Sequence, residues 1–325
     1  MKSSFIDNLY SFLNSSHFKL SRVESLEINC SAYFFSTSSL ISFNFSTGVI
    51  SIFLKGLYAA GFSALQVMFF RGLFSSFFMA IFLFIKDKNL LKINLKDIWM
   101  FLGTGVISLT FFSLCYFYTI LESGASVAVI LLYTSPIFVL LMSVLFFKEK
   151  ITFVKIIALI LTFAGCILVS GIGGQGGLSA KGFFIGLCAG FGYALYSIFS
   201  RIALKKYDSL TVTFYTFLFS AISIIPFCSI SQIPQMINVK TLLFSVGISV
   251  LCTVLPYIFY TVGLSGLETG KAAILVTVEP LVATLIGFFI WKEQVSVFKI
   301  IGIIAILVSI LLLSFNSSSE KQKDS

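Results

Sequence analysis

The sequence predicts an all-α membrane protein, with ten transmembrane helices arranged as two inverted five-helix repeats. Three observations carry that expectation. The chain is 58% hydrophobic and only 11% charged, with a mean hydropathy of +1.04, which is more apolar surface than a soluble fold can hide. Its apolar runs are close to the roughly 20 residues that cross a bilayer at about 1.5 Å rise per residue. A long stretch also occurs twice. Thr134 to Ile157, TSPIFVLLMSVLFFKEKITFVKII, aligns without a gap on Val278 to Ile301, VEPLVATLIGFFIWKEQVSVFKII. Pro136 falls on Pro280, Leu141 on Leu285, Lys148-Glu149 on Lys292-Glu293, and Lys155-Ile156-Ile157 on Lys299-Ile300-Ile301.

In chain order, residues 1–34 begin polar and read as a disordered or interfacial segment, with Phe5, Leu9, Phe12 and Leu13 at helical spacing. Asp7, Asn8 and Asn14 interrupt any signal-peptide core. Spans are expected at about 35–55, 63–85, 97–120, 126–147 and 152–171 in the first repeat, residues 35–171. A glycine-rich linker, 172–181, then leads to spans at about 182–202, 209–229, 241–263, 270–291 and 297–315 in the second repeat, residues 182–315. A polar tail follows at 316–325. The first span is diluted by serine and threonine, but its partner supports it: Ser51-Ile52-Phe53, Lys55 and Ser63 match Ser197-Ile198-Phe199, Arg201 and Ser209 at one offset. Gly105 and Phe117-Tyr118-Thr119 match Gly247 and Phe259-Tyr260-Thr261 at a slightly different one.

An odd number of spans per half makes the second half enter the bilayer from the opposite side, a common transporter architecture. Loop cations fix the direction. Lys86, Lys88, Lys92, Lys96, Lys148, Lys150, Arg201, Lys205 and Lys206 fall on the side of the N-terminus, against Lys55, Lys181, Lys240, Lys292 and Lys299 on the other. Both termini are therefore expected in the cytoplasm.

The net charge of +9 would suggest nucleic acid in a soluble protein, but here the cations occupy short loops between spans, and no nucleic-acid partner is expected. The six cysteines are scattered singly and His17 is the only histidine, so neither a metal site nor a cofactor is expected. No GxxxxGK[ST] loop occurs, which argues against an ATPase in the chain. The partners expected are a small-molecule substrate and the lipid bilayer.

Among candidate residues, Glu279 is a carboxylate within a span, where it costs about 2.5–3.5 kcal/mol and should face the bundle interior or a wet cavity. It reads either as a proton or substrate-amine site, or as a protonated group bonded to backbone freed by Pro280. Pro136 and Pro280 leave the carbonyls of Leu132 and Val276 short of an intrahelical donor, with Tyr133, Thr134, Ser135 and Thr277 close enough along the helix to help. These prolines, with Gly190, are hinge candidates. Arg71 reads either as an anion-binding group or as a cation that snorkels to the surface. Tyr116, Tyr118, Tyr193, Tyr196, Tyr257 and Tyr260 bring hydroxyls into apolar spans and suit a mostly apolar pocket with a few polar groups, or else helix packing. Glu149 and Glu293, at span ends, read as loop caps paired with a nearby lysine.

Two copies of a five-helix unit, each with a mid-span proline in P-x(12)-E and with Glu279-Pro280 in the second, resemble the EamA family of the drug/metabolite transporter superfamily, over about Thr47 to Phe315. The resemblance implies an inner-membrane carrier, usually an exporter of amino acids, other small metabolites or drugs. It implies alternating access around a central cavity lined by the first, third, fourth, sixth, eighth and ninth helices. The chain departs from the family in the first helix, where Phe45-Ser46 stands in place of a common Trp-Gly pair. Two other readings remain: a membrane-embedded enzyme using Glu279 with Arg71 or a tyrosine, and a non-transporting receptor or scaffold. A central polar cavity would discriminate against the latter.

Overall fold

The structure, a computed structural model, describes residues 50–123, 125–170, 179–228, 236–276 and 296–323. Thr277, Glu279, Pro280 and Glu293 lie outside the described residues. All the regular elements among the described residues are helical. They are α1 (Ile50–Ala59), α2 (Ala64–Lys86), α3 (Leu95–Ser123), α4 (Ala125–Leu132 and Ser135–Phe147), α5 (Phe153–Ser170), α6 (Ala180–Ala203), α7 (Ser209–Ile224), α8 (Val239–Gly266), α9 (Thr269–Val276) and α10 (Val297–Lys323). Six stretches, in α2, α3, α4, α6, α7 and α8, are long and apolar enough to cross a membrane, and α5 and α10 contain shorter apolar stretches. Phe77, Ile85, Leu145, Ile160 and Leu243 stand exposed on the outside of the bundle. Such a coat is what a lipid-facing surface requires, and the chain is a multi-pass membrane protein.

Local chemistry sets the ends of the helices. Ser63 accepts from the Gln66 amide at 3.3 Å while the Gln66 side chain accepts from the Ser63 amide at 2.8 Å, a reciprocal cap that starts α2. Asp208 caps α7 through the Leu210 amide at 2.9 Å. At its far end, α10 runs on to Lys323 instead of stopping near 315, because the polar residues from Asn316 onward contain no glycine or proline to break it.

Two helices widen into π-helical turns, α3 over Gly103–Thr110 and α8 over Val250–Val254. In each a threonine hydroxyl donates to the carbonyl five residues earlier: Thr110 to Gly105 at 3.0 Å and Thr253 to Ile248 at 2.9 Å. The hydroxyls help to satisfy backbone oxygens that the wider turn presents. Helix α4 breaks at Tyr133–Thr134, and the rigid Pro136 falls in the first turn where it resumes. The hydroxyl that reaches back is that of Thr134, to the Leu131 carbonyl at 2.6 Å.

Packing joins the first five helices to the last five. Helix α1 packs on α8 and α3 on α6; α2 packs on α7, α4 on α9 and α5 on α10. Small residues allow these approaches, since apolar side chains gain nothing by leaving lipid. A Cβ on Gly165 of α5 would lie 2.7 Å from the Gly302 carbonyl oxygen of α10, and nearby Thr162 and Ser309 share a buried 2.6 Å hydrogen bond. Gly190 of α6 lies against the break in α4, where an added Cβ would meet Thr134 Oγ1 at 2.5 Å and the Leu131 carbonyl oxygen at 2.8 Å.

Because one of those neighbours is backbone, Gly190→Val is expected to force α6 off α4. The destabilisation should be about 1–3 kcal/mol, the usual penalty of overpacking, read as a lower melting temperature of the detergent-purified protein.

Candidate functional site

A cavity of about 390 Å³ opens between the two sets of helices, within the ~300–1,000 Å³ typical of small-molecule sites. Its walls come from the C-terminal part of α1 (Leu54, Tyr58), the N-terminal part of α2 (Val67, Met68, Arg71) and α3 (Phe112, Ser113, Tyr116, Phe117). From the later helices come Tyr193 of α6, Phe217 and Ser220 of α7, and Thr253 and Tyr257 of α8, while α4 contributes Leu132. Arg71 is the one charged side chain in this lining among the described residues. Its Nε donates to Thr253 Oγ1 at 3.0 Å, and no carboxylate among the described residues pairs with it. That bond uses one of five guanidinium donors. The π-helical turn of α8 thus does two things at once, turning Thr253 toward its own helix and presenting the same oxygen to α2.

Beneath Tyr193 and Tyr257 the bundle closes. The Tyr196 ring packs on Tyr257 and Tyr260 with centroids 5.2 and 5.5 Å away, and Phe217 on Tyr257 at 4.9 Å. The Tyr260 hydroxyl shares a 2.6 Å hydrogen bond with Ser197 Oγ. Leu264, Leu267, Ala272 and Leu275 continue this plug.

Beyond the plug lies a set of charges. Helix α4 ends on Lys148 in the left-handed conformation, φ 57°, and the next amide, Glu149, returns to the Ser143 carbonyl at 3.3 Å. That turn points Glu149 at the start of α9, where its carboxylate accepts from the Thr269 and Gly270 amides at 2.8 and 3.2 Å. A carboxylate there satisfies free amides and meets the positive end of the helix dipole. Beside it, Lys155, only 1% exposed, pairs with Glu268 at 2.7 Å and donates to the Lys150 carbonyl at 2.7 Å. Lys271 also reaches Glu268, at 3.2 Å. Arg201 of α6 donates to the Leu264 carbonyl, and Asp97 of α3 accepts from Lys206 at 2.7 Å and Tyr207 at 2.8 Å. Glu149, Lys155 and Asp97 therefore tie the earlier helices to the later ones at this end. At the cavity end, the ion pair among the described residues is Glu122 with Lys181, at 3.5 Å and with both side chains substantially exposed.

The sequence candidates divide accordingly. Arg71, Tyr193 and Tyr257 line the cavity, together with Tyr116. Tyr196 and Tyr260 lie in the plug below it. Tyr118 is exposed and accepts from Lys181 at 2.8 Å. Tyr133 packs near Cys166 and Ile306, away from the cavity lining, and Ser135 and Pro136 are buried where α4 resumes. Of the helices the family resemblance implied, the first, third, fourth, sixth and eighth line the cavity, no described residue of the ninth does, and the second and seventh contribute as well. No sequence expectation gave Glu268, Lys155 or Lys271 a role at a site. A signal was present: Leu121-Glu122-Ser123-Gly124 and Leu267-Glu268-Thr269-Gly270 repeat one pattern at the ends of α3 and α8.

An apolar helical bundle enclosing a pocket of this size, with one cation on its wall, has the build of a membrane carrier. The chain belongs to the EamA-like transporter family, whose profile matches residues 34–171 and 180–315, within the drug/metabolite transporter superfamily. Among its relatives, an uncharacterized transporter of Archaeoglobus fulgidus is 26% identical over 265 residues, covering 82% of this chain and 91% of its own. The uncharacterized transporter YdfC of Bacillus subtilis is 26% identical over 271 residues, covering 81% and 86%. One solved crystal structure superposes with a TM-score of 0.73 at 13% identity, covering 89% of this chain and 98% of that one, which is a likeness of fold. The protein is a membrane transporter.

Burial works to raise the Glu268 carboxyl, but the Lys155 hydrogen bond and charge, with Lys271, outweigh it and hold the group below its usual 4.5. A carboxylate depressed in the folded state stabilises fully above the unfolded value and loses that contribution as pH falls through the folded one. The melting temperature is therefore expected to drop as pH is lowered below 4.5, and Glu268→Gln should lessen the drop. Glu149→Ala strands two amides and is expected to cost about 1–3 kcal/mol at neutral pH, checked by the same thermal melts.

Proposed function

We propose that the protein is a secondary-active exporter of a small metabolite, such as an amino acid or a drug-like compound, that works by alternating access. In this reading it comprises ten spans, 35–171 and 182–315 forming oppositely oriented repeats joined at 172–181, in the inner membrane with both termini cytoplasmic. The observation that carries the reading is the cavity walled by helices of both halves, closed at one end by a tyrosine plug and a charge network. The matched helix pairs, and the π-helical turns in both α3 and α8, support the two-repeat arrangement. With the loop cations inside, the closed end faces the cytoplasm and the cavity faces out.

Arg71 supports a substrate that carries a carboxylate or phosphate. It belongs to a lining without any acid among the described residues, and the aromatic side chains around it suit an apolar body. Tyr193 and Tyr257 form the floor on which that body would rest. Glu279 is proposed as the coupling group for protons or exchange, with Thr277 beside it and Pro280, Pro136 and Gly190 as the points where helices bend. The cavity also weighs against a receptor or scaffold whose centre is filled by side chains.

Proteoliposomes test this. Saturable flux is expected for at least one member of a broad panel of amino acids, nucleotide sugars and drugs, and absence of flux for the whole panel with folded protein would sink the reading. Arg71→Met should weaken transport of an acidic substrate by about 10- to 100-fold, the loss of a charge-assisted hydrogen bond of about 1.5–3 kcal/mol, with Arg71→Lys intermediate. Glu279→Gln should flatten the pH dependence of flux, and an unchanged rate and pH profile would make that residue structural.

A further inference from the structure

The two ends of the bundle carry the same charged pattern in different states. Lys155 and Lys299 fall on one another in the repeated stretch, and Glu268 and Glu122 occupy the same place in Leu267-Glu268-Thr269-Gly270 and Leu121-Glu122-Ser123-Gly124. The backbones agree as well. The Lys155 amide donates to Thr152 Oγ1 at 3.3 Å at the start of α5, and the Lys299 amide donates to Ser296 Oγ at 3.3 Å at the start of α10. Lys155 has found its glutamate, at 2.7 Å with the lysine buried. Lys299 makes no ion pair among the described residues, and Glu122 instead holds Lys181 at 3.5 Å in an exposed setting, where a pair contributes little.

We propose that Glu122 and Lys299 are the second of two exchanging latches: they pair across the halves when the cavity closes, as Lys155 and Glu268 separate. The proposal rests on the inverted-repeat reading above. If the halves are related by inversion, the opposite conformation exchanges their local environments, so Lys299 takes up toward Glu122 the relation that Lys155 now has toward Glu268. Each latch stabilises one conformation only, which is the condition for a charge pair to bias an equilibrium. Lys181 is the resting partner that Glu122 leaves, and its separation and exposure make that exchange easy. Glu268 keeps Lys271 nearby when Lys155 departs, so its charge is not stranded.

The test uses a cysteine-free full-length background in membrane vesicles. Glu122→Cys with Lys299→Cys, and Lys155→Cys with Glu268→Cys, are oxidised separately, and cross-linked peptides are read by mass spectrometry. Both pairs are expected to cross-link. A Tyr116→Cys reporter in the cavity should label with membrane-impermeant maleimide when Lys155→Cys and Glu268→Cys are joined, and at least 10-fold less when Glu122→Cys and Lys299→Cys are joined, with reductant restoring it. Failure of the Glu122–Lys299 pair to cross-link while the other pair does, or cross-linking without protection of the reporter, overturns the latch. Single Glu122→Cys and Lys299→Cys variants, labelled from one side of intact cells, separate the two levels. Reaction of both from the same side leaves the inverted architecture standing, whereas reaction from opposite sides removes it and the latch together.

Discussion

In hydrocarbon a peptide group or charge without a partner costs several kcal/mol, and the irregular parts of this bundle are built around that constraint. The wide turns of α3 and α8 are accompanied by the hydroxyls of Thr110 and Thr253, which bond to carbonyls five residues back. The break in α4 is accompanied by Thr134, and the start of α9 by the carboxylate of Glu149. The last case differs in reach. Its donor and acceptor are 120 residues apart, so a local need of one helix end becomes a tie between the two sets of helices. Had the cap come from α9's own loop, that tie would not exist.

The same economy shapes the cavity. Arg71 is stabilised by a hydroxyl rather than by a carboxylate among the described residues, so the wall keeps its positive charge. Aromatic side chains supply area without charge, and Tyr193 and Tyr257 form the boundary between open space and a dry plug. Polar ties gather beyond that plug, whereas the rim near Glu122 and Lys181 is loosely held. The asymmetry lies in the distribution of bonds rather than in the sequence, which supplies similar groups at both ends.

Hydropathy placed the six long apolar helices within a few residues of their ends, because a span has to be about 20 residues long and loses its apolar run where it meets water, but it missed the polar extension of α10. Arg71, Tyr193 and Tyr257 stood out in sequence as polar groups in apolar runs, each with a pocket reading and a structural one, and all three lie in the cavity lining. Other features were not legible. Alternation of apolar residues carries no sign of π-helical hydrogen bonding, so Gly103–Thr110 looked like ordinary helix. Tyr196 and Tyr260 look like Tyr193 and Tyr257 in sequence, and only the helix rotation separates plug from lining. Glu149 read as a loop cap. It is a cap, but of a helix remote in sequence, and nothing near Glu149 names α9 as its partner. The repeat of Leu-Glu-Ser/Thr-Gly was the available hint to Glu268, since a charge retained in both copies at a helix junction has a geometric job.

The contact between α5 and α10 has a consequence for how the chain is made. Gly165 and Thr162 face Gly302 and Ser309, so α5 finds this neighbour only after the more than one hundred residues that separate it from α10 have been made. Until α10 is made, the notch at Gly165 and the Thr162 hydroxyl lack their partners, and the nascent protein passes through an interval in which half of this seam is missing. Membrane insertases and proteases that recognise unfilled polar notches would encounter it during that interval, and a chain truncated before α10 would keep the notch for good.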